Sequence, residues 1–214
     1  MGLPKGTLRV HGRPILEYLL ERLNWPGPKW LITAPGREHP PGCERFDREI
    51  SDPVAGLGPL RGILTGLEEL TRDWLLVATV DMPGIRREHL EWLVEQSRLR
   101  TAAGFMCRRS GPYPASLGIP PHPSRVAGSR PIRSLLPEGE GTGGTCDIEP
   151  FPMLMRREAG ARVRRRMEER RLSVHGLLEE PGFEAVEAPA TWDTKVWENL
   201  NRPEDLRRFS ENAG

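Results

Sequence analysis

The chain has 214 residues, the length of one large domain or two small ones. Hydrophobic residues make up 37% of the sequence, enough for a substantial core. The 31 basic and 30 acidic residues leave a net charge of +1, which excludes a protein that binds nucleic acid mainly through bulk charge. No apolar run approaches the roughly 18 residues of a membrane span and no signal-peptide pattern opens the sequence, so we expect a cytoplasmic protein.

The first predicted elements are a helix and a short strand. Apolar residues at helical spacing, with Pro14 suited to the first turn, predict an amphipathic helix over Ile15, Leu16, Leu19, Leu20 and Leu23. The next apolar segment, Trp30–Thr33, predicts a strand, because the breaker Pro35-Gly36 follows it closely.

A second helix and a more apolar strand come next. The helix begins after Gly58-Pro59 and is marked by Leu60, Ile63, Leu64, Leu67 and Leu70. Residues 74–80, WLLVATV, are typical of a strand buried on both faces of a parallel sheet. This strand stops at Asp81-Met82-Pro83-Gly84.

A helix around Glu88–Leu99 and a strand over Gly104–Arg108 extend the alternation. Helices alternating with strands predict an α/β fold, a mainly parallel sheet flanked by helices with right-handed crossovers. We treat residues 1–214 as a single domain in which 110–150 is an irregular or inserted segment. The glycine-rich stretch at 139–144, GEGTGG, indicates a flexible loop there, because no Walker-type helix follows it.

The segment Arg156–Arg171 contains eight arginines and three glutamates. We interpret it as a solvated helix face, with a surface for a phosphate-rich ligand as the alternative.

Neither the cysteines nor the histidines indicate a site. The three cysteines (Cys43, Cys107 and Cys146) are odd in number and lack CxxC or Cys/His ligand spacing. This argues against a disulfide framework or a structural zinc site and favours a reducing compartment. The five histidines are scattered, and the sequence lacks a serine-hydrolase elbow, an HExxH motif, a Walker loop and a complete GxGxxG.

Asp81 is the strongest single candidate for chemistry. It follows the most apolar predicted strand, and ligands of open α/β sheets bind outside the carboxyl ends of the strands. A carboxylate there suits Mg²⁺, which takes one or two protein carboxylates and completes its shell with phosphate oxygens and water. The alternative is that Asp81 only caps the turn that follows.

Lys5 is the second candidate, because lysine supplies only three of the 31 basic residues. A retained lysine offers a compact point charge for phosphate, although a solvated terminal lysine is the ordinary case. Asp52 and the Gly58–Gly62 turn could approach a ligand through backbone N–H groups, or could serve helix packing alone. Asn199 and Asn201 precede a good helix start, and could form Asx turns or contact a ligand.

Taken in order, four segments resemble the molybdenum cofactor guanylyltransferase group of nucleotidyltransferases. They are MGLPKGTLRVHGRPILEYLLERL (1–23), SDPVAGLGPLRGILTGL (51–67), WLLVATVDMPGI (74–85) and NLNRPEDL (199–206). The family pattern runs from a loop ending in R-M-G-x-[DP]-K, through D…GPLxG and a strand ending in D-x-P, to N-x-N-x-P-E-[DE]-L. The matches span nearly the whole chain, with the middle third poorly covered.

The resemblance implies a Rossmann-like nucleotidyltransferase fold and Mg²⁺-dependent transfer of GMP from GTP to the phosphate of molybdopterin, with release of pyrophosphate. It also implies GTP and molybdopterin or molybdenum cofactor as ligands, and a molybdoenzyme or its chaperone as a protein partner. By position, it implies catalytic roles for Lys5 and Asp81, with Asp81 as the metal ligand, and an acceptor site at Asn199 and Asn201. The nucleotide-binding residues it implies are Lys5, Thr33, Asp52, Gly58, Pro59, Leu60, Gly62 and Asp81.

The family places a strand and an L-A-G-G-x-S-x-R loop immediately before the Met-Gly that opens this sequence, and neither is present here. We expect that the recorded start is an internal methionine; the alternative is a degenerate homologue that binds nucleotide poorly or not at all. Two other functions stay open beside guanylyl transfer. One is a related transferase that uses another nucleotide, such as CTP, or another acceptor; the other is a non-catalytic cofactor-binding homologue. Nucleic-acid binding is not supported, because no basic-aromatic pattern is present.

Overall fold

The computed structural model describes residues 5–110 and 148–212. The helices are α1 (Ile15–Leu23), α2 (Pro59–Glu69), α3 (Arg87–Leu99), α4 (Gly160–Glu168) and α5 (Pro203–Asn212). The strands are β1 (Arg9–Val10), β2 (Arg13–Pro14), β3 (Trp30–Thr33), β4 (Arg48–Ser51), β5 (Trp74–Val77), β6 (Gly104–Arg108), β7 (Ile148–Arg156) and β8 (Phe183–Glu187).

The main sheet has four strands in the order β5-β7-β6-β8. Strand β7 runs antiparallel to both β5 and β6, whereas β6 and β8 are parallel. Strands β5, β6 and β8 therefore share one direction and β7 opposes them. A second, two-stranded sheet pairs β3 with β4 in parallel, and β1 and β2 form a small antiparallel ribbon. The predicted α/β fold is confirmed; the main sheet is mixed, with antiparallel pairing on both sides of β7.

The main sheet is covered by helices on both faces, because side chains alternate along its strands. One face joins α2 and α4 in a cluster that includes Leu64, Met106, Met153, Met155 and Val163. The opposite face packs on α3 through Leu90, Leu93, Phe105, Cys107 and Leu154. A third cluster joins α1, β3 and α5 through Ile15, Leu16, Leu19, Leu31 and Phe209. These three clusters form the core of the described residues.

Strand β5 is shorter and less buried than its apolar sequence predicts. It ends at Val77 rather than at residue 80, and all four of its residues are only half-buried. Its side chains still contact the core on both faces: Leu75 and Val77 on one side, Trp74 and Leu76 on the other. The exposure arises because β5 pairs only with β7 among the described strands. The strand contacts the core on both faces as predicted, but its pairing is antiparallel rather than parallel and its predicted end is wrong.

Helix α2 joins the two sheets. A side chain at Gly62 would contact Ile32 of β3, and one at Gly66, a turn later, would contact Leu75 of β5. The helix therefore crosses both strands where its own backbone can approach them closely. The first half of α2 therefore lies beside the end of β3, and its second half lies against β5.

The arginine-rich segment is neither a simple solvated face nor a free phosphate surface. Arg166 on α4 is buried and forms ion pairs with Glu179 and Glu180. Arg165 pairs with Glu180 as well, and the exposed Arg164 pairs with Glu68 of α2. Much of the positive charge on α4 is therefore paired with glutamate carboxylates.

Residues 111–147 lie outside the described part of the chain, and with them most of the segment predicted to be irregular. Its last residues, Ile148–Pro150, belong to the start of β7. Among the described residues, no helix combines the length and the apolar character needed to cross a membrane.

Candidate active site

Asp81, Lys5 and Asn201 converge just beyond the carboxyl end of β5. The Lys5 Nζ donates to Asp81 Oδ2 at 2.5 Å and to Asn201 Oδ1 at 2.8 Å. The Asp81 and Lys5 side chains are 16% and 38% exposed. Solvent therefore reaches the pair, so an incoming ligand can replace either partner.

Asp81 is held from two further directions. The Thr79 hydroxyl donates to Asp81 Oδ1 at 2.5 Å, and the Leu200 N–H donates to the Asp81 backbone carbonyl at 2.7 Å. Thr79 fixes the orientation of the carboxylate. Leu200 is buried, and its hydrogen bond holds the segment before α5 next to Asp81. Thr79 was not among the predicted site residues. Its signal in the sequence is its place two residues before Asp81.

The two predicted asparagines differ in their surroundings. Asn201 contacts Lys5, and its own N–H is bound by the Asp205 carboxylate at 3.0 Å. Asp205 also accepts from the Arg202 N–H at 2.8 Å, as in a cap at the start of a helix. Asn199 contributes its backbone carbonyl to the Asn201 N–H at 3.1 Å. Asn201 thus belongs to the Lys5–Asp81 group through its side chain, and Asn199 through its backbone.

A second group forms where β4 ends and α2 begins. The Asp52 N–H donates to the Thr33 carbonyl at 2.8 Å, and the Asp52 Oδ1 accepts from the Thr65 hydroxyl at 2.5 Å. Asp52 Oδ2 lies 3.8 Å from where a Cβ on Gly62 would stand. The structure therefore brings Thr33, Asp52 and Gly62 together. Thr65, which orients Asp52, was not predicted, and its signal is its position one turn beyond Arg61 on the buried side of α2.

The Gly58–Leu60 turn opens α2. Gly58 has φ +69°, in the left-handed region that favours glycine, and a Cβ there would meet nothing within 4 Å. Pro59 occupies the first turn, where its missing N–H costs little. The Leu60 side chain is fully buried in the core, so only its backbone can face a ligand. The open space at Gly58 lies at the positive end of an 11-residue helix.

No hydrogen bond within residues 5–110 and 148–212 joins the Lys5–Asp81–Asn201 group to the Asp52 group. Helix α2, which contacts both β3 and β5, relates them. The first group offers a cation, a carboxylate and an amide; the second offers a carboxylate beside a helix start. Of the two carboxylates, Asp81 fits a Mg²⁺ ligand better. A carboxylate has about four lone-pair positions, and Lys5 and Thr79 use only two of them.

Comparisons with known proteins identify related sequences and structures. The model of the MobA-like NTP transferase domain matches residues 1–182. A molybdenum cofactor guanylyltransferase from Pseudomonas aeruginosa is 31% identical over 147 residues, which are 64% of this chain and 74% of that protein.

Two solved structures show a similar fold. One is the molybdopterin-guanine dinucleotide biosynthesis protein A of Archaeoglobus fulgidus, with a TM-score of 0.69 and 18% identity over 99% of this chain and 91% of that one. The other is the 2-C-methyl-D-erythritol 4-phosphate cytidylyltransferase of Thermus thermophilus, with a TM-score of 0.59 and 22% identity over 98% and 94%. Since the family model covers the segments that carry Lys5, Asp52 and Asp81, the chain belongs to the family of MobA-like NTP transferase domains, which are nucleotidyltransferases.

Proposed function

We propose that this chain transfers GMP from GTP to the phosphate of molybdopterin and releases pyrophosphate, with Mg²⁺ as the metal. The single observation that supports this most is the contact of Lys5 with both Asp81 and Asn201 at the end of β5. A lysine ammonium suits phosphate and a carboxylate suits Mg²⁺, so this contact supports the proposed reaction. The named relative from P. aeruginosa supports guanine as the base and molybdopterin as the acceptor.

The reaction needs positioning and charge neutralisation rather than a general base. An oxygen of the acceptor phosphate attacks the α-phosphorus of GTP, and the bond from that phosphorus to the bridging oxygen of pyrophosphate breaks. The attacking phosphate is already an anion at neutral pH, so no side chain has to remove a proton. The group formed by Lys5, Asp81 and Asn201 contains no histidine or cysteine, which agrees with a reaction that needs no general base.

Lys5 has the leading role in this scheme. In the free chain its ammonium group is paired with Asp81. When GTP binds, Lys5 turns to the phosphate oxygens, and Asn201 keeps one of its N–H donors oriented. Mg²⁺, when bound, supplies positive charge to the developing pyrophosphate, and Asp81 is the residue that would hold it.

The Asp52 group would hold the nucleoside. Asp52 is fixed by Thr65 and by the backbone of Thr33, so its second oxygen is available to a ribose hydroxyl or a base N–H. The open space at Gly58 lets the start of α2 approach the nucleotide. Asn199 and Asn201 would lie toward the acceptor.

The test is a turnover assay with the full chain, Mg²⁺ and molybdopterin, in which GTP, CTP, ATP and UTP are compared by pyrophosphate release. GTP-dependent formation of the dinucleotide supports the proposal. Turnover with CTP alone would keep the reaction and change the base, as the fold of the cytidylyltransferase allows.

Absence of turnover with any nucleotide would reject catalysis. A melting-temperature shift with a nucleotide would then distinguish a binding protein from one without a nucleotide site. A ligand at 100 times its Kd stabilises a fold by roughly 2.7 kcal/mol.

A further inference from the structure

Three metal-ligating side chains converge at a place that the proposed reaction does not use. They are His39 in the loop after β3, Cys43 in the short turn that follows, and Glu49 on β4. One ligand atom from each residue lies within 4.8 Å of the other two. We propose that His39, Cys43 and Glu49 bind a Zn²⁺ ion, with water as the fourth ligand.

The spacing of the three atoms suits tetrahedral zinc. The His39 Nδ1 and the Glu49 Oε2 are 2.6 Å apart, and Cys43 Sγ lies within 4.8 Å of both. Zinc bonds of about 2.0–2.3 Å hold neighbouring ligand atoms roughly 3.2–3.8 Å apart. The contact between His39 and Glu49 is shorter than that range, and the separations from Cys43 Sγ are at most 4.8 Å. Movements of about 1 Å at the ends of these side chains would therefore complete the site.

The set of ligands selects the metal. A thiolate, an imidazole and a carboxylate suit Zn²⁺, whereas Mg²⁺ prefers an octahedron of oxygens. This separates the His39–Cys43–Glu49 cluster from Asp81, which offers oxygen alone. His39 is 79% exposed and Glu49 is 22% exposed, so the ion and its water have access from solvent.

Binding changes the protonation of two ligands. Burial raises the pKa of the Cys43 thiol, and the charges of Glu49 and Glu44 raise it further, so the thiol is protonated in the free chain. Zinc displaces that proton to solvent and binds the sulfur as thiolate. The Nδ1 of His39 donates to Glu49 in the free chain, so that proton leaves Nδ1 when its lone pair binds zinc, and the bound neutral ring carries its proton on Nε2. The hydrogen bond between His39 and Glu49 is thus replaced by the shared ion. The affinity for zinc should therefore increase with pH.

The position of the cluster assigns it a structural role. It joins the loop after β3 to β4. Pro40, within that loop, also packs against Gly6, where a Cβ would lie 3.1 Å from the proline ring. Gly6 is the neighbour of Lys5. A zinc ion that fixes the loop would thus support the segment that carries Lys5, without touching the reacting groups.

The experiment measures metal binding by the full chain in the absence of GTP and molybdopterin. Metal-free protein is titrated with Zn²⁺ against a chromophoric chelator, and with Co²⁺ while the near-ultraviolet absorbance is followed. We expect one Zn²⁺ per chain and a thiolate-to-Co²⁺ charge-transfer band. Because no substrate is present, failure of the guanylyltransferase proposal would leave this result unaffected.

Single variants test the three ligands. We expect His39→Ala, Cys43→Ser and Glu49→Gln each to weaken Zn²⁺ binding by more than about tenfold, and Cys43→Ser to remove the Co²⁺ band. The melting temperature of each metal-free variant, compared with the metal-free parent, separates a lost ligand from a lost fold. If one variant melts well below the parent, the other two test the site. In these two, Zn²⁺ should no longer raise the melting temperature as it does in the parent.

Two matched controls accompany them. Glu44→Gln removes a carboxylate next to Cys43 that is outside the cluster, and Cys146→Ser removes another thiol. Cys146→Ser should bind Zn²⁺ like the parent. Glu44→Gln should bind it at least as tightly, because it removes a charge that raises the pKa of the Cys43 thiol, and both variants should keep the Co²⁺ band. Cys107 is no competitor, because burial raises the pKa of its thiol to about 12. The proposal would be overturned if the parent bound no Zn²⁺ or if all three ligand variants bound Zn²⁺ as tightly as the parent. Loss of the Co²⁺ band in Cys146→Ser would also overturn it.

Discussion

Two ion pairs of similar length occupy very different surroundings in this molecule. Lys5 and Asp81 are 2.5 Å apart with side chains 38% and 16% exposed, whereas Arg166 and Glu180 are 3.0 Å apart and 2% and 3% exposed. A pair that water reaches can exchange partners at little cost. A buried pair that loses one partner leaves an uncompensated charge. The first pair is therefore suited to receiving a substrate, and the second to holding α4 in place.

The largest effect is expected at the exposed pair. Asp81→Ala should lower Mg²⁺-dependent GMP transfer by about 10³-fold or more, because it removes the carboxylate proposed to hold the metal. Initial rates measure this loss. The free energy of unfolding, measured by urea denaturation, should change by less than about 1 kcal/mol, as for other solvent-exposed pairs. Retained turnover would remove Asp81 from the mechanism.

The buried pair should behave in the opposite way. Arg166→Met removes the buried partner of Glu180 and leaves that carboxylate to Arg165 and Arg171, so it should lower the free energy of unfolding by about 1.5–3 kcal/mol. The rate per folded molecule should stay near that of the parent. Arg164→Met is the matched control, since Arg164 is exposed, and it should cost less than about 1 kcal/mol. Equal costs in the two variants would contradict the distinction between the pairs.

Two variants of Lys5 separate the effect of its positive charge from the effect of its shape. Lys5→Ala should lower kcat/KM for GTP by about 10²-fold, because it removes a cation from the phosphates. Lys5→Arg keeps the charge but replaces a compact ammonium by a planar fork, and should recover only part of that loss. Steady-state kinetics of both variants provide the measurement. Full activity in Lys5→Ala would show that the phosphates are bound elsewhere.

The smallest expected effect is the loss of stability at acidic pH. Burial acts to raise the pKa of Glu180, but the hydrogen bonds from Arg166 and Arg165 prevail and lower it below its ordinary value of 4.5. The stabilisation by this carboxylate is therefore complete above that ordinary value and is lost as the pH falls through the lower, folded-state pKa.

Urea unfolding at a series of acidic pH values checks this. The parent should lose stability with falling pH more steeply than Glu180→Gln, which has no carboxyl group to titrate at that position. Identical slopes would show that the pair does not contribute to acid sensitivity.

Local periodicity predicted most of the elements. The predicted helix over residues 15–23 and the strands Trp30–Thr33 and Gly104–Arg108 have the observed bounds, because alternation and helical spacing are properties of neighbouring residues. The predicted end of β5 at residue 80 was wrong for a physical reason. Its partner is β7, 76 or more residues later at every paired position, and the apolar letters of residues 78–80 carry no information about where that pairing stops.

The candidate site was only partly predictable. The resemblance pointed to Lys5, Asp81 and Asn201, but not to their contact, which spans 76 and 196 residues of sequence. The roles of the Thr79 and Thr65 hydroxyls were not predicted, because a threonine in an apolar element usually packs in the core rather than orienting a carboxylate. The His39–Cys43–Glu49 cluster escaped because its spacing follows no common ligand pattern. The parallel pairing of β3 with β4, rather than proximity in sequence, brings Glu49 toward the loop.

The hydrogen bond from Leu200 to the backbone of Asp81 has a consequence for the timing of synthesis. On the ribosome, Lys5 and Asp81 emerge early, and β5 must wait for β7 before it gains its partner. Residues 200 and 201 emerge more than a hundred residues after Asp81, and only then can the asparagine reach the lysine. The nascent chain therefore lacks the contact between Lys5 and Asn201 until residue 201 has been made.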